Sequence, residues 1–517
     1  MKNKTITPTK SLLLPMLVAT VLSLAGSSCK RMLDTNPQGA YDESTYPFPG
    51  GTSPYDEYIF GAYRDLRLFD VHVWGYIHAA SIRSDDADKG STPADGGANS
   101  QQMDNFPVLP NNGLVNALWT GHFGLINKCN NVLFQVANNK GITATEAQRT
   151  LAIAEARFLR GYAYFNMVRF FGNVPIFDSL FQDPAAQNNV PQSTPDQLYA
   201  FIESDLTFAA ANLPPDWPRE FVGRVTNGAA LGMLAKVYLY QRKWTQAQST
   251  ALQVMNSGRY NLNTPYGVIF TEAGENSSES IFEIQATATA TQPTINGIQY
   301  ANVQAVRGAG IWNYGWGFNT PSEQLAAAYE TGDPRRARTI LFTSTSTTPG
   351  VTFNGETTPV GLPNPRYNHK VHPSTSFVNV INNRGAWWMN VRILRYADVV
   401  LMYAEASNEI GGDANITAAR NAVNSVRARA RGGNNAILPN IAFTTQADMR
   451  QAIRQERRVE LAMEHERFFD IVRWGISDAV MQAAGKPNYS ESRDKWLPIP
   501  QVQIDLTRGV LKQNPGY

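Results

Sequence analysis

Cysteine is almost absent from this chain: only Cys29 and Cys129 occur among its 517 residues. At most one disulfide can form, and only if both cysteines survive in the mature protein. Histidine is nearly as scarce, with six scattered residues. His465-Glu466 begins a zinc-protease motif, but Phe469 stands where the second histidine is needed, so that metal reading fails. There is no glycine-rich phosphate loop and no Gly-x-Ser-x-Gly nucleophile turn, so nothing positive points to catalysis. Charge of one sign is missing too. The formal net charge is +2, and Lys2, Lys4 and Lys10 account for it; from residue 29 onward, 42 basic residues face 43 acidic ones. No Lys/Arg block forms a nucleic-acid stripe. No segment is long and apolar enough to span a bilayer, because the run Leu12–Leu24 is broken by Pro15 and falls short of about 18 residues.

What is present describes an exported globular protein. Hydrophobic residues make up 43%, enough for a large core, and aromatics 11%, including 10 Trp and 21 Tyr. The basic start, apolar centre and small residues Gly26-Ser27-Ser28 predict a signal peptide over 1–28. Cys29 then becomes the first mature residue and the site of lipid attachment, although Gly26 stands where lipoprotein signals usually have Leu. Residues 29–50, rich in Asp, Pro, Gly and Ser, read as a tether. Cys129, within the apolar stretch Ile126–Leu133, reads as a small buried hydrophobe.

Helical periodicity dominates from there, chiefly within 115–262 and 390–475. Leu198, Ile202, Leu206, Ala209 and Leu213 form one apolar stripe, closed by Pro214-Pro215. Tyr238, Ala247 and Ala251 follow Ala235 at the offsets of a tetratricopeptide (TPR) hairpin, where small residues let two helices approach closely. A looser copy follows at Tyr396–Ala430, with Ala404, Ala418 and Ala422. Two stretches, 70–112 and 264–388, break the pattern with Gly, Asp, Asn, Thr and aromatics. The fold class expected is mainly α: a single domain over 51–517 with a TPR-like hairpin scaffold and a large irregular part that holds the ligand.

Candidate site residues lie in the irregular part. Trp312, Asn313, Tyr314 and Trp316 place three large rings within five residues, separated by Asn and Gly. Such rings either seal a loop as a packed cluster or offer faces on which sugar C–H groups stack. Trp74 and Tyr76, ahead of Asp85 and Asp86, form a second candidate, the carboxylates accepting from sugar hydroxyls. Asp86 and Asp88 are also a fragment of an oxygen-ligand loop, a candidate for a structural Ca²⁺; otherwise no cofactor or metal is expected. Trp387-Trp388 read as core. The charges at Glu456, Glu460, Glu464 and Arg467 follow helical spacing and read as ion pairs along one helix face. Arg395, Asp398 and Glu405 read as buried pairs on an apolar helix.

Many short motifs in one order resemble the SusD/RagB family of outer-membrane nutrient-binding lipoproteins, over nearly all the mature length. In the first half they are Cys29–Asp34, Asn36-Pro37, Trp119 with Asn127 and Asn130, Glu155–Arg160, Phe171–Pro175 and Arg224–Tyr240. In the second half they are Glu279–Phe282, Asp333–Arg335, Arg395–Asp398, Leu401–Glu405, Asn424–Arg429, Glu456–Gly475, Leu497–Pro500 and Gln513–Tyr517. The resemblance implies a cell-surface glycan-binding lipoprotein that is not an enzyme. It also implies an oligosaccharide ligand gripped by loop aromatics, and a SusC-like TonB-dependent transporter as partner. Lys30 and Arg31 depart from the acidic residues that often follow the lipidated cysteine in surface-exposed members. Alternatives are a peptide or other nutrient binder, a TPR-type protein adaptor, and a glycosidase, which needs two facing carboxylates.

Overall fold

Helix ends are written into the sequence as caps. The Thr145 hydroxyl accepts the Gln148 amide while Gln148 returns a bond to the Thr145 backbone, and Thr194 and Gln197 repeat the device ahead of Pro195. Asn112 caps the helix before them. The computed structural model describes residues 53–350, 352–353 and 356–517. The expected signal peptide, Cys29 and the tether lie outside these residues. Residues 55–139 and 144–517 form one compact unit.

The scaffold consists of α1 (Gly113–Asn138), α2 (Glu146–Phe171), α3 (Pro195–Asn212), α4 (Asn227–Tyr240) and α5 (Trp244–Asn256), then α6 (Tyr396–Ile410), α7 (Asp413–Arg431) and α8 (Gln446–Glu460). Consecutive helices pack as hairpins, and α5 also packs on α6, joining the two halves of the chain. The alanines of the TPR pattern sit at these contacts: Ala235, Ala247 and Ala251 are fully buried. Each added methylene there would overpack a close helix pair, at about 1–3 kcal/mol. In the second hairpin the phase differs by one, with Ala419 rather than Ala418 joining Ala404 and Ala422 in the core. α2 is buried nearly all round, so Phe158, Phe165 and Phe170 each contribute about 1.5–3 kcal/mol by leaving water. Among the described residues no helix is long and apolar enough to cross a membrane.

The charged run after residue 456 differs from its expected form. α8 ends at Glu460, and a turn with Met463 and His465 at positive φ precedes α9 (Arg467–Arg473). Glu460, Glu464 and Arg467 therefore do not share one helix face. They pair across the fold instead. Glu460 accepts from Arg335 at 3.1 Å, Arg395 at 3.2 Å and Arg429; Glu464 accepts from Arg395 and Lys370; Arg467 donates to Asp85 at 2.8 Å. Asp398 joins Lys236 to Arg457, and Glu405 takes Arg473, so these residues are buried pairs as expected.

The irregular half is tied down by short two-stranded pairings. β1 (Ala87–Gly90) runs antiparallel to β3 (Phe318–Pro321), and β2 (Ser280–Ile284) to β4 (Val391–Arg395). The β1–β3 pairing links the two stretches in which the site candidates lie. Gly90 adopts φ +69 with its missing Cβ pointing at the Gly317 carbonyl, where a side chain would sit 2.6 Å from that oxygen. Only glycine lets the two backbones approach so closely there.

Candidate functional site

Trp74 and Trp316 are separated by 242 residues, yet their rings lie 5.6 Å apart, edge to face. Irregular backbone places the first. Phe69–Val73 and His78–Ile82 are wide π-helical turns on either side of Trp74–Ile77, a form often found at functional sites. The β1–β3 register places the second, since Gly90 pairs with Phe318 two residues beyond Trp316. Backbone bonds from Trp316 to Asn302 and from Gly317 to Ala305 pin the loop.

Three rings form the accessible surface of this cluster. Phe69 stacks on Trp74 at 6.1 Å and 16° and meets Trp316 edge-on at 6.3 Å. All three are half-buried, so each keeps area open to solvent. Phe318, buried behind them, meets Trp74 edge-on at 4.6 Å and fixes its tilt. Phe69 is a site residue the sequence reading missed. Its only signal was an aromatic five positions before Trp74, a spacing off the 3.6-residue period that the π turn accommodates.

Polar groups border the rings. The Ser91 hydroxyl bridges the Trp316 carbonyl and the Asp95 carboxylate, at 2.7 Å to each. Asp95 also pairs with Arg307 at 2.9 Å. Hydroxyl hydrogen bonds from Thr92 and Ser91, with Arg307 adding to them, hold its carboxyl down to about 2, so it is ionised throughout the neutral range. Asp70, exposed beside Phe69, has no hydrogen-bond or ion-pair partner among the described residues. Lys89 lies 5.4 Å over the Phe318 ring and donates to the Thr92 carbonyl at 2.8 Å. Asp70, Asp95, Arg307 and Lys89 were not singled out from sequence, because isolated charges in loops carry no pattern.

The other expected site residues are placed differently. Trp312 and Tyr314 are only 3% and 1% exposed. They pack with His372, which stacks on Trp312 at 5.7 Å and meets Tyr314 at 4.5 Å, while Arg384 lies over Tyr314 at 5.0 Å. These two rings form the floor of the loop that presents Trp316, and Asn313 between them is exposed. Tyr76, two residues after Trp74 in the same short helix, is buried against Phe170 and His465.

Asp85 and Asp86 are corrected from ligand contacts to structural anchors. Both are buried; Asp85 takes Arg467 and Arg458, and Asp86 takes Arg458 at 2.6 Å. Arg458 holds one carboxylate oxygen of Asp86, while the other lies 3.7 Å from Arg467 without a hydrogen bond. No group of three or more His, Cys, Asp or Glu among the described residues is arranged to hold a metal ion. Burial is affordable for these acids only because the guanidiniums are there. Asp85→Ala is therefore expected to destabilise the protein by about 3 kcal/mol, read as a lower unfolding midpoint, with ligand affinity of the folded fraction unchanged.

Comparison with known proteins covers the same body. A family model described as "SusD family" matches residues 278–517, and one described as "Starch-binding associating with outer membrane" matches residues 79–239. "SusD-like protein P2" of Formosa agariphila is 28% identical, over 97% of this chain and 98% of its own length. A SusD-like protein of Bacteroides ovatus is also 28% identical, over 89% of this chain and 82% of its own. Among solved structures, a laminarin-binding SusD-like protein superposes with a TM-score of 0.74 at 27% identity, covering 90% of this chain and 99% of that one. Surface glycan-binding protein A from Bacteroides thetaiotaomicron, in complex with laminarihexaose, gives 0.73 at 25%, covering 89% and 98%. Family models over residues 79–239 and 278–517, relatives matching along most of its length and a shared TPR-like scaffold agree: this chain belongs to the SusD/RagB family.

Proposed function

We propose that this protein captures oligosaccharides at the outer membrane and hands them to a transporter without cleaving them. The observation that carries this reading is the convergence of Phe69, Trp74 and Trp316 on one partly exposed surface bordered by Asp70, Asp95 and Arg307. Sugar rings have apolar C–H faces that stack on such rings, and hydroxyls that pair with carboxylates and guanidinium. Structurally similar proteins that bind laminarin and laminarihexaose support the same class of ligand. A binder rather than a hydrolase is supported by the structural neighbours, which are described as binding proteins.

The outer-membrane setting is supported by the description of the matching family model, and lipid attachment at Cys29 by the small residues before it. A TonB-dependent transporter of the SusC kind is the partner the family resemblance implies. Outward display follows from that role, Lys30 and Arg31 notwithstanding. The test is a binding screen of the soluble chain, lacking residues 1–29, against neutral oligosaccharides and peptides, with bound glycan followed over time for cleavage. Saturable binding of one glycan class without product is the expected result. Peptide binding, or shortening of the glycan, would contradict the proposal.

A further inference from the structure

A second aromatic groove lies on the helical scaffold, built from residues distinct from those of the platform. Its volume is about 300 Å³, at the lower end of ligand pockets. One wall is the face of α1 that carries Thr120, Phe123, Gly124 and Asn127; the other is the loop after α2, with Phe177, Gln187 and Asn188. The C-terminal α10 (Gln501–Leu506) closes one side through Gln503.

The chemistry of the lining is selective. Phe123 and Phe177 are half-buried and lie 5.0 Å apart at 49°, with Trp119 5.0 Å behind Phe123. They form an aromatic floor that keeps area open. The side-chain amides of Asn127, Gln187 and Asn188 have no hydrogen-bond partner among the described residues, so each offers two donors and an acceptor. No Asp, Glu, Lys or Arg lines the groove. A charged ligand would find no counter-ion there, and a purely apolar one would leave the amides unpaired as it displaced their water. The ligand that uses both parts is neutral, carries many hydroxyls and presents an apolar face.

We infer that this groove is a second, weaker carbohydrate-binding site, taking one end of a neutral glycan or a separate short oligosaccharide. The class of ligand is shared with the proposed function, while the site and its residues are not. Two sites on one rigid body raise the effective affinity for a long polysaccharide when both can be engaged by one chain. α1 serves both, since the missing Cβ of Gly121 faces the backbone of Asp70 while Thr120 and Gly124 face the groove.

Gly124 provides a clean test. A Cβ added there meets nothing within 4 Å, so Gly124→Leu projects into the groove without displacing the core, and it also raises helix propensity. The probes are laminarihexaose, maltohexaose, cellohexaose and xylohexaose, read by saturation-transfer NMR on the soluble chain. Three proteins are compared: wild type, Trp74→Ala/Trp316→Ala, and that double variant with Gly124→Leu added. Weak saturable binding surviving in the double variant and falling at least tenfold in the triple variant is expected. If the double variant binds none of the probes while wild type does, the groove is not a site and the platform stands. Residual binding that Gly124→Leu leaves intact also overturns the groove. If wild type binds none of the probes, both readings fall.

Discussion

Acidification from about pH 7.5 to about pH 5.5 is expected to destabilise this protein through its buried histidines, well before carboxylates titrate in an unfolded chain. All six histidines are buried. Burial pushes His72, His369 and His465 down to about 3 and His78 and His122 to about 4, and lowers His372 as well. The geometry fits neutral rings. His78 and His122 each bond a carbonyl one turn back through Nδ1, and their Nε2 atoms have no partner among the described residues. A second proton would therefore be a buried, unpaired donor. Below about pH 6.5 the unfolded chain binds these protons and the native protein does not, so stability falls as pH falls, by about 1 kcal/mol per histidine at pH 5.5. Glu275 works in the opposite direction. Burial raises its carboxyl to about 7, so it takes up a proton in the native state first and returns about 2 kcal/mol. Burial also raises the carboxyls of Asp86, Asp88, Glu155 and Glu279, which offset a further part of the histidine effect. Unfolding midpoints measured from pH 8 to pH 5 should drop steeply below pH 6.5, and imidazole NMR signals should not titrate in that range while the protein is folded. A histidine titrating near its ordinary value in the folded protein would contradict the burial described here.

Removing the carboxylate of Glu460 is expected to cost about 3–5 kcal/mol without changing ligand affinity in the protein that remains folded. Glu460 is fully buried where Arg335, Arg395 and Arg429 converge, and these guanidiniums, after the cost of burial, hold its carboxyl far below the usual range. Glu279 and Glu464 compensate part of the positive charge. In Glu460→Gln three buried guanidiniums lose the carboxylate they share. The network joins α8 to segments near residues 279, 335 and 395, so its loss loosens the irregular half from the scaffold. Chemical denaturation should show the lower stability, and calorimetry at low temperature should show unchanged glycan binding. A variant of normal stability that had lost binding would mean that these charges touch ligand.

The scaffold was legible because its signals are local and repeated. Caps at Thr145 and Thr194, prolines after helices, and alanines at hairpin offsets fix helix ends and contacts within a few residues of each other. The site was legible only in part. Trp74 and Trp316 stood out as aromatics among Gly and Asn, but nothing local distinguished them from Trp312 and Tyr314 in the same stretch. That distinction depends on which side of the loop His372 packs, a contact across more than 50 residues. Asp85 and Asp86 read as exposed acids because their partners, Arg458 and Arg467, lie more than 370 residues away. The spacing of Glu456, Glu460 and Glu464 suggested one helix face, and only the positive φ at Met463 shows that the helix has already ended.

The central claim, that Phe69, Trp74 and Trp316 form a sugar-stacking surface, is tested most directly by one titration. Calorimetry with the glycan found in the screen would compare wild type with Trp316→Ala and Trp74→Ala, each checked for an unchanged circular dichroism spectrum. Loss of an aromatic anchor of this kind costs about 2 kcal/mol or more, so affinity should fall roughly 30-fold or further in each variant. Folded variants that bind the glycan as tightly as wild type would contradict the account.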